Sequence, residues 1–212
     1  MHRLVVALGA SFLLLFSGAA TAGPEQDFWR WFQQNDALLF DFERNQEATF
    51  DALATALHKV DPQLTFEFGP KQNGRREFVI SADGMRAAFP KVEALAGAAP
   101  LMPKWIVVKF RPRREPFDLR YKGLDVAVDT VTVALRPQGA KVGITVFIPG
   151  YARARHDDFS GIAFLFLDQA LGEYDVETKV GSIDVAAPVA GEGQAISLAK
   201  LPAAFAALTA RH

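Results

Sequence analysis

Leu64-Thr65-Phe66-Glu67-Phe68-Gly69-Pro70-Lys71-Gln72-Asn73-Gly74-Arg75-Arg76-Glu77-Phe78-Val79-Ile80 alternates with a period of two on both sides of an Asn-Gly turn. Alternation places every second side chain on one face of a strand, and Asn-Gly supplies the left-handed backbone of a tight hairpin. An antiparallel hairpin is therefore expected here, with helices before it. Upstream, Phe28, Trp31, Phe32, Leu38, Leu39 and Phe42 fall on one helical stripe, while Trp29 and Phe40 lie off it. That helix either is buried on two sides or breaks near Asn35-Asp36. A second stripe, Phe50, Leu53, Leu57 and Val60, is stopped by Pro62.

Downstream, residues 81–84 open a short helix that runs to Ala96 and is closed by Pro100 and Pro103. A strand is expected over 105–111, irregular charged chain over 112–123, and a second hairpin over 126–136 and 142–148. Asp157 and Asp158 are placed to cap a helix over 159–171, with Gly172 closing it. Alternation resumes over 174–185, residues 187–194 form a Pro/Gly loop, and a terminal helix starts at Pro202. The order ααββαβββαβα has no regular βαβ alternation and no internal repeat. It predicts an α+β fold: one domain, with a mainly antiparallel twisted sheet and helices chiefly on one face.

The first 22 residues read as an address. Met1-His2-Arg3 is cationic, residues 4–16 are apolar, and Ala20-Thr21-Ala22 supplies a small-residue cleavage site. The apolar run is short of the ~20 residues that span a bilayer. Residues 1–22 are thus expected to be a cleaved signal peptide, leaving residues 23–212 as a single domain in the periplasm or outside the cell. No membrane span is expected after cleavage. The chain holds 23 Lys and Arg against 24 Asp and Glu, and a balance so near neutral excludes bulk attraction to nucleic acid. It has no cysteine, which excludes disulfides, thiolate metal sites and cysteine nucleophiles. Dinucleotide, P-loop, serine-elbow and zincin motifs are missing, and no cofactor is expected.

Three constellations remain. On the expected strand, Glu173, Asp175 and Glu177 share a face, as carboxylates for a cation or for acid–base catalysis, or as a solvated edge. Lys109, Arg111 and Arg113 share a face if the strand runs through Pro112. With Arg120 they would bind a carboxylate or phosphate, or pair with nearby acids. His156, Asp157 and Asp158 have metal-ligand chemistry, although neighbours at a helix start converge poorly on one ion. The off-stripe Trp29 and Phe40 offer a partner surface or a second buried side.

The phrases Leu57-His58-Lys59-Val60-Asp61-Pro62-Gln63-Leu64-Thr65-Phe66-Glu67-Phe68-Gly69, Arg76-Glu77-Phe78-Val79-Ile80-Ser81-Ala82-Asp83-Gly84 and Leu171-Gly172-Glu173-Tyr174-Asp175-Val176-Glu177 resemble a bacterial protein family of unknown function. The likeness spans most of the chain from Phe28 onward. It implies a single domain and carries no activity, cofactor or site. Together these features point to a non-catalytic binding or interaction module for a small anionic ligand or an envelope protein. A metal-assisted hydrolase using the 173–177 carboxylates, or a structural subunit of an envelope complex, are the alternatives.

Overall fold

A computed structural model describes residues 23–188 and 195–210. The expected signal peptide and most of the 187–194 loop lie outside the described residues. The chain begins with α1 (Pro24–Gln34) and α2 (Asp36–Phe40), broken at Asn35, followed by α3 (Gln46–His58). The helix is also buried on two sides, since Trp29 is buried within α1 beside Phe28 and Phe32. Trp29 is buried and its indole N–H donates to Leu95 O at 2.7 Å, so it belongs to the core.

The first hairpin forms as the alternation dictates, with β1 (Thr65–Phe68) antiparallel to β2 (Arg76–Ser81). Asn73 and Gly74 both adopt positive φ in its turn. The helix α4 (Phe89–Gly97) then returns the chain to β3 (Trp105–Lys109), which lies parallel to β2. Phe78 is fully buried at the centre of this half, with the rings of Phe28, Trp29, Phe32, Phe66, Phe68 and Trp105 all within 6.5 Å. Between the core-facing residues, Glu67 and Glu77 point to the other side of the sheet.

At the end of the stretch expected to be irregular, β4 (Leu119–Tyr121) pairs with β5 (Leu124–Val126), just beyond it, in a small hairpin. Its turn, Lys122-Gly123, has positive φ at both residues; lysine is not a turn signal, so composition hid it. The second large hairpin joins β6 (Thr132–Gln138) to β7 (Lys141–Phe147), and Val126 belongs to β5 instead. The helix α5 (His156–Leu171) follows.

Here the reading of the acidic segment is overturned. Residues 173–179 form a second helix, α6 (Glu173–Lys179), and only then does β8 (Val180–Ala186) begin, parallel to β7. The period-two pattern misled because Tyr174 and Val176 also suit a helix, and a two-turn helix is too short to show its own period. The short edge strand β9 (Ile196–Ser197) pairs with β6, and α7 (Leu201–Thr209) ends the described chain.

Among the described residues, seven helices and three mostly antiparallel sheets make one compact α+β domain. In the four-stranded sheet, Val142, Ile144 and Val146 face a core shared with α5 and α7. Arg136 crosses the opposite face to Ser182 and Asp184. Helices therefore cover one face, as amphipathic strands require. The α+β expectation holds, with the strands divided among three sheets and a plan repeated in topology though not in sequence. Each half consists of a hairpin, a 3-10 turn, a helical crossover and a strand parallel to the hairpin's second strand. In both halves a positive-φ glycine, Gly84 or Gly150, follows that second strand. Among the described residues, no helix is long and apolar enough to cross a membrane.

Candidate functional site

The two halves meet where β2 and β3 end. Past β2, Asp83 turns left-handed at φ 51°; past β3, Phe110 does the same at φ 63°. Such a conformation costs a bulky residue about 1–3 kcal/mol and persists only where packing enforces it. At Phe110 the enforcing partners are Phe89 and Tyr174, with ring centroids at 4.5 and 5.2 Å. The turn at Phe110 ends the strand, so Lys109, Arg111 and Arg113 do not share a face. Instead it brings Arg111 against the second half.

Glu173, the first residue of α6, locks this joint. It is fully buried, and its carboxylate accepts backbone N–H groups from Ala82 at 3.0 Å, Gly84 at 3.2 Å and Arg111 at 3.0 Å. Its own N–H donates to Arg111 O at 3.0 Å. A buried carboxylate is tolerable because N–H donors replace its water. Gly172 lets the chains approach: at φ +84° it sits where a Cβ would lie 3.0 Å from Arg113 N and 3.1 Å from Arg111 O. The same segment is tied to α5 by Arg114 N–H donating to Gln169 O and Phe117 N–H donating to Gln169 Oε1.

Above the joint lies a cavity of about 250 Å³ lined by Glu67, Asp83, Arg111, Phe117, Leu165 and Asp168, among others. Arg111 is its hub. Nε donates to Glu67 Oε1 at 2.5 Å, Nη1 donates to Asp83 Oδ1 at 2.7 Å, and Asp168 Oδ2 stands 3.7 Å from Nη1. Burial works against the Arg111 cation, but the Asp83 hydrogen bond and the charges of Glu67, Asp83 and Asp168 outweigh it and raise its pKa.

Asp168, on α5, is the unusual group. Its side chain is 7% exposed, and Oδ1 is buried with no hydrogen-bond partner. Burial pushes its pKa up to about 6; Arg111 opposes this, while Glu173, Glu67 and Asp83 add to it. Three carboxylates around one guanidinium, with a fourth beneath, leave the cleft negative. It therefore favours a hydrogen-bond donor carrying positive charge over an anion.

The other expected site residues are dispersed. Asp175 pairs with Lys179 at 2.8 Å within α6. Glu177 faces Gly84, its pKa raised by burial against the pull of Arg86. Glu173, Asp175 and Glu177 thus do not form a row of carboxylates: as i and i+4 on a helix, Glu173 and Glu177 share a face toward Gly84, while Asp175 is turned away to Lys179. Lys109 lies 3.9 Å from Glu93, and Arg120 pairs with Asp125 across the small hairpin. Arg113 is exposed, has no carboxylate partner among the described residues, and lines a separate groove of about 580 Å³ with Glu115 and Asp129.

His156 is held between two hydroxyls, Tyr151 Oη at 2.9 Å from Nδ1 and Ser160 Oγ at 3.3 Å from Nε2. Asp157 and Asp158 lie inside the first turn of α5 and make no side-chain cap, which corrects the capping expectation; the cap position is Arg155. Asp158 pairs with Arg155 and Lys122, and the Arg155 hydrogen bond leads in lowering its pKa. Among the described residues, no three His, Asp or Glu side chains are grouped to hold a metal ion.

Sequence reasoning picked out Arg111 and Glu173 but missed Asp168, Asp83 and Glu67. Asp168 was legible in one respect, as a lone acid interrupting the apolar run of α5. Compared with protein-family models, curated proteins and solved structures, the chain finds no match in any of the three.

Proposed function

We propose that this protein is a non-catalytic binding module, exported by its 1–22 leader, whose ligand seat is the cleft at Arg111 between the two halves. The observation that carries this reading is Asp168: a carboxylate 7% exposed, in the wall of a cavity to which both halves contribute, with Oδ1 buried and unpartnered and Oδ2 no closer than 3.7 Å to Arg111. Native folds seldom leave such an acceptor unpaired, because each costs about 1–3 kcal/mol. A ligand donor is the natural compensation. The cleft also lies outside the carboxyl ends of the parallel pair β2 and β3, where open sheets commonly receive ligands.

The charge of the cleft moves the reading away from a small anion at Arg111, whose guanidinium is already engaged by carboxylates. The hydrolase alternative loses its acidic row once residues 173–179 are helical. The envelope-subunit alternative loses its surface, since Trp29 is buried and Phe40 stacks edge-on against Trp105 at 5.6 Å.

The test is native mass spectrometry of the full chain recovered from its producing cells. A stoichiometric small-molecule adduct, lost in Asp168→Asn and in Arg111→Met, is the expected result. An adduct unchanged in both variants, or no adduct at all, would remove the reading.

A further inference from the structure

We infer that the ligand taken by this cleft is a primary amine on a short apolar stem. The inference rests on the cleft being a ligand seat and adds the class of molecule that fits it.

Four carboxylates converge here from four elements: Glu67 from β1, Asp83 from the turn after β2, Asp168 from α5 and Glu173 from α6. Glu173 is spent on three backbone N–H groups. Glu67 and Asp83 each accept a hydrogen bond from Arg111. Asp168 accepts none; it faces Arg111 at 3.7 Å with one oxygen and leaves the other buried and orphaned. Arg114, the other cation lining the cavity, is paired with Glu77 at 2.8 Å. One guanidinium therefore balances a surplus of negative charge, and Asp168 still lacks a donor. An ammonium group supplies both the charge and the N–H bonds.

The remaining walls decide what the amine is attached to. Pro112, Phe117 and Leu165 are apolar, and Phe117 is 60% exposed, an apolar ring left uncovered at the cavity mouth. A cavity of about 250 Å³ is small even for a ligand site, where about 300–1,000 Å³ is usual, and admits a stem of only a few methylenes. The apolar walls offer no hydrogen-bond partners for a sugar or a large polar headgroup. Such an amine lays its carbons on Phe117 and Leu165 and carries its ammonium to Asp168.

Because the acceptor must be ionised to hold an ammonium, binding is coupled to the proton on Asp168. With a pKa of about 6, Asp168 is almost wholly ionised at pH 7.5 and about one-tenth ionised at pH 5.0. The site accordingly loads in neutral surroundings and releases in acid ones.

The experiment is isothermal titration of the full chain with n-butylamine and 1,4-diaminobutane, alongside butyrate and n-butanol as stem-matched controls. The amines are expected to saturate one site and the two controls to give no heat. Affinity for the amines should fall about tenfold between pH 7.5 and pH 5.0, and at least tenfold in Asp168→Asn at pH 7.5. Phe117→Ala, a surface change that leaves the core intact, should weaken n-butylamine while leaving methylamine unaffected. Butyrate binding, amine binding indifferent to Asp168→Asn, or no amine binding each overturns the inference. If amines are inert while an Asp168-dependent adduct is present in the native protein, the class of ligand is wrong and the seat stands. If the adduct is missing too, the seat itself falls.

Discussion

Removing the Glu173 carboxylate should cost this fold a large share of its stability, although the residue lies on a short peripheral helix. The carboxylate serves the N–H groups of Ala82, Gly84 and Arg111 at 3.0–3.2 Å from a position with no solvent exposure. A hydrogen bond to a charged group contributes about 1.5–3 kcal/mol. Three such bonds do not add, and the Gly84 and Arg111 donors are only partly buried, so water can reach them in the variant. Loss of the buried charge also returns some desolvation energy. The balance for Glu173→Ala is about 3–5 kcal/mol, against a total of about 5–15 kcal/mol for a domain. Glu173→Gln keeps one acceptor oxygen for Ala82 and Gly84 but turns an NH2 toward Arg111 N–H, and should cost about 1.5–3 kcal/mol. Urea unfolding followed by tryptophan fluorescence measures both, read from the midpoint at constant slope. A Glu173→Ala variant within 1 kcal/mol of the parent would refute the claim that this carboxylate joins the halves.

Gly172→Ala should destabilise by about 2 kcal/mol or more, since its φ of +84° and the Arg113 and Arg111 backbone both oppose a Cβ; a midpoint equal to the parent's would show that the approach relaxes freely. Asp168→Asn should be more stable than the parent above pH 6. The folded pKa of about 6 exceeds the ordinary carboxylate value, so between about pH 4 and 6 the folded state holds the extra proton and the parent loses stability as pH rises. The gain, reduced for solvent screening, is on the order of 1–2 kcal/mol at pH 7.5 and vanishes below pH 4; thermal melts across that range check it. Phe78→Ala empties the centre of a six-ring cluster and should cost about 3–5 kcal/mol by urea unfolding.

The two large hairpins and α7 were legible because their signals are local, while the break at Asn35 was one of two open readings. Asn73-Gly74 states its own turn, and Pro202 its own helix start. The cleft was only half legible. Arg111 and Glu173 stood out as charge in a suggestive neighbourhood, but the bonds that join them run through backbone N–H groups, which every sequence has. Asp83 and Phe110 turn left-handed under tertiary pressure, and nothing in Phe110 itself favours that conformation. The acidic row failed for a reason of scale: seven residues alternate as convincingly by chance as by design. The repeated hairpin–helix–strand plan was hidden because its two copies share topology and few residues. Asp168 gains its unusual proton affinity chiefly from burial, with Glu173, Glu67 and Asp83, brought from 5, 101 and 85 residues away in the chain, adding to it; all of these depend on the tertiary fold.

The central claim, that the Arg111–Asp168 cleft is where this protein holds its ligand, is tested most directly by titrating 1,4-diaminobutane into the 15N-labelled chain and following the amide resonances. The account predicts that the amides of Ala82, Gly84, Arg111 and Gln169 move together with one dissociation constant and stay still in Asp168→Asn. Shifts confined to the Arg113 groove or to the start of α5, or no shift at saturating amine, would contradict it.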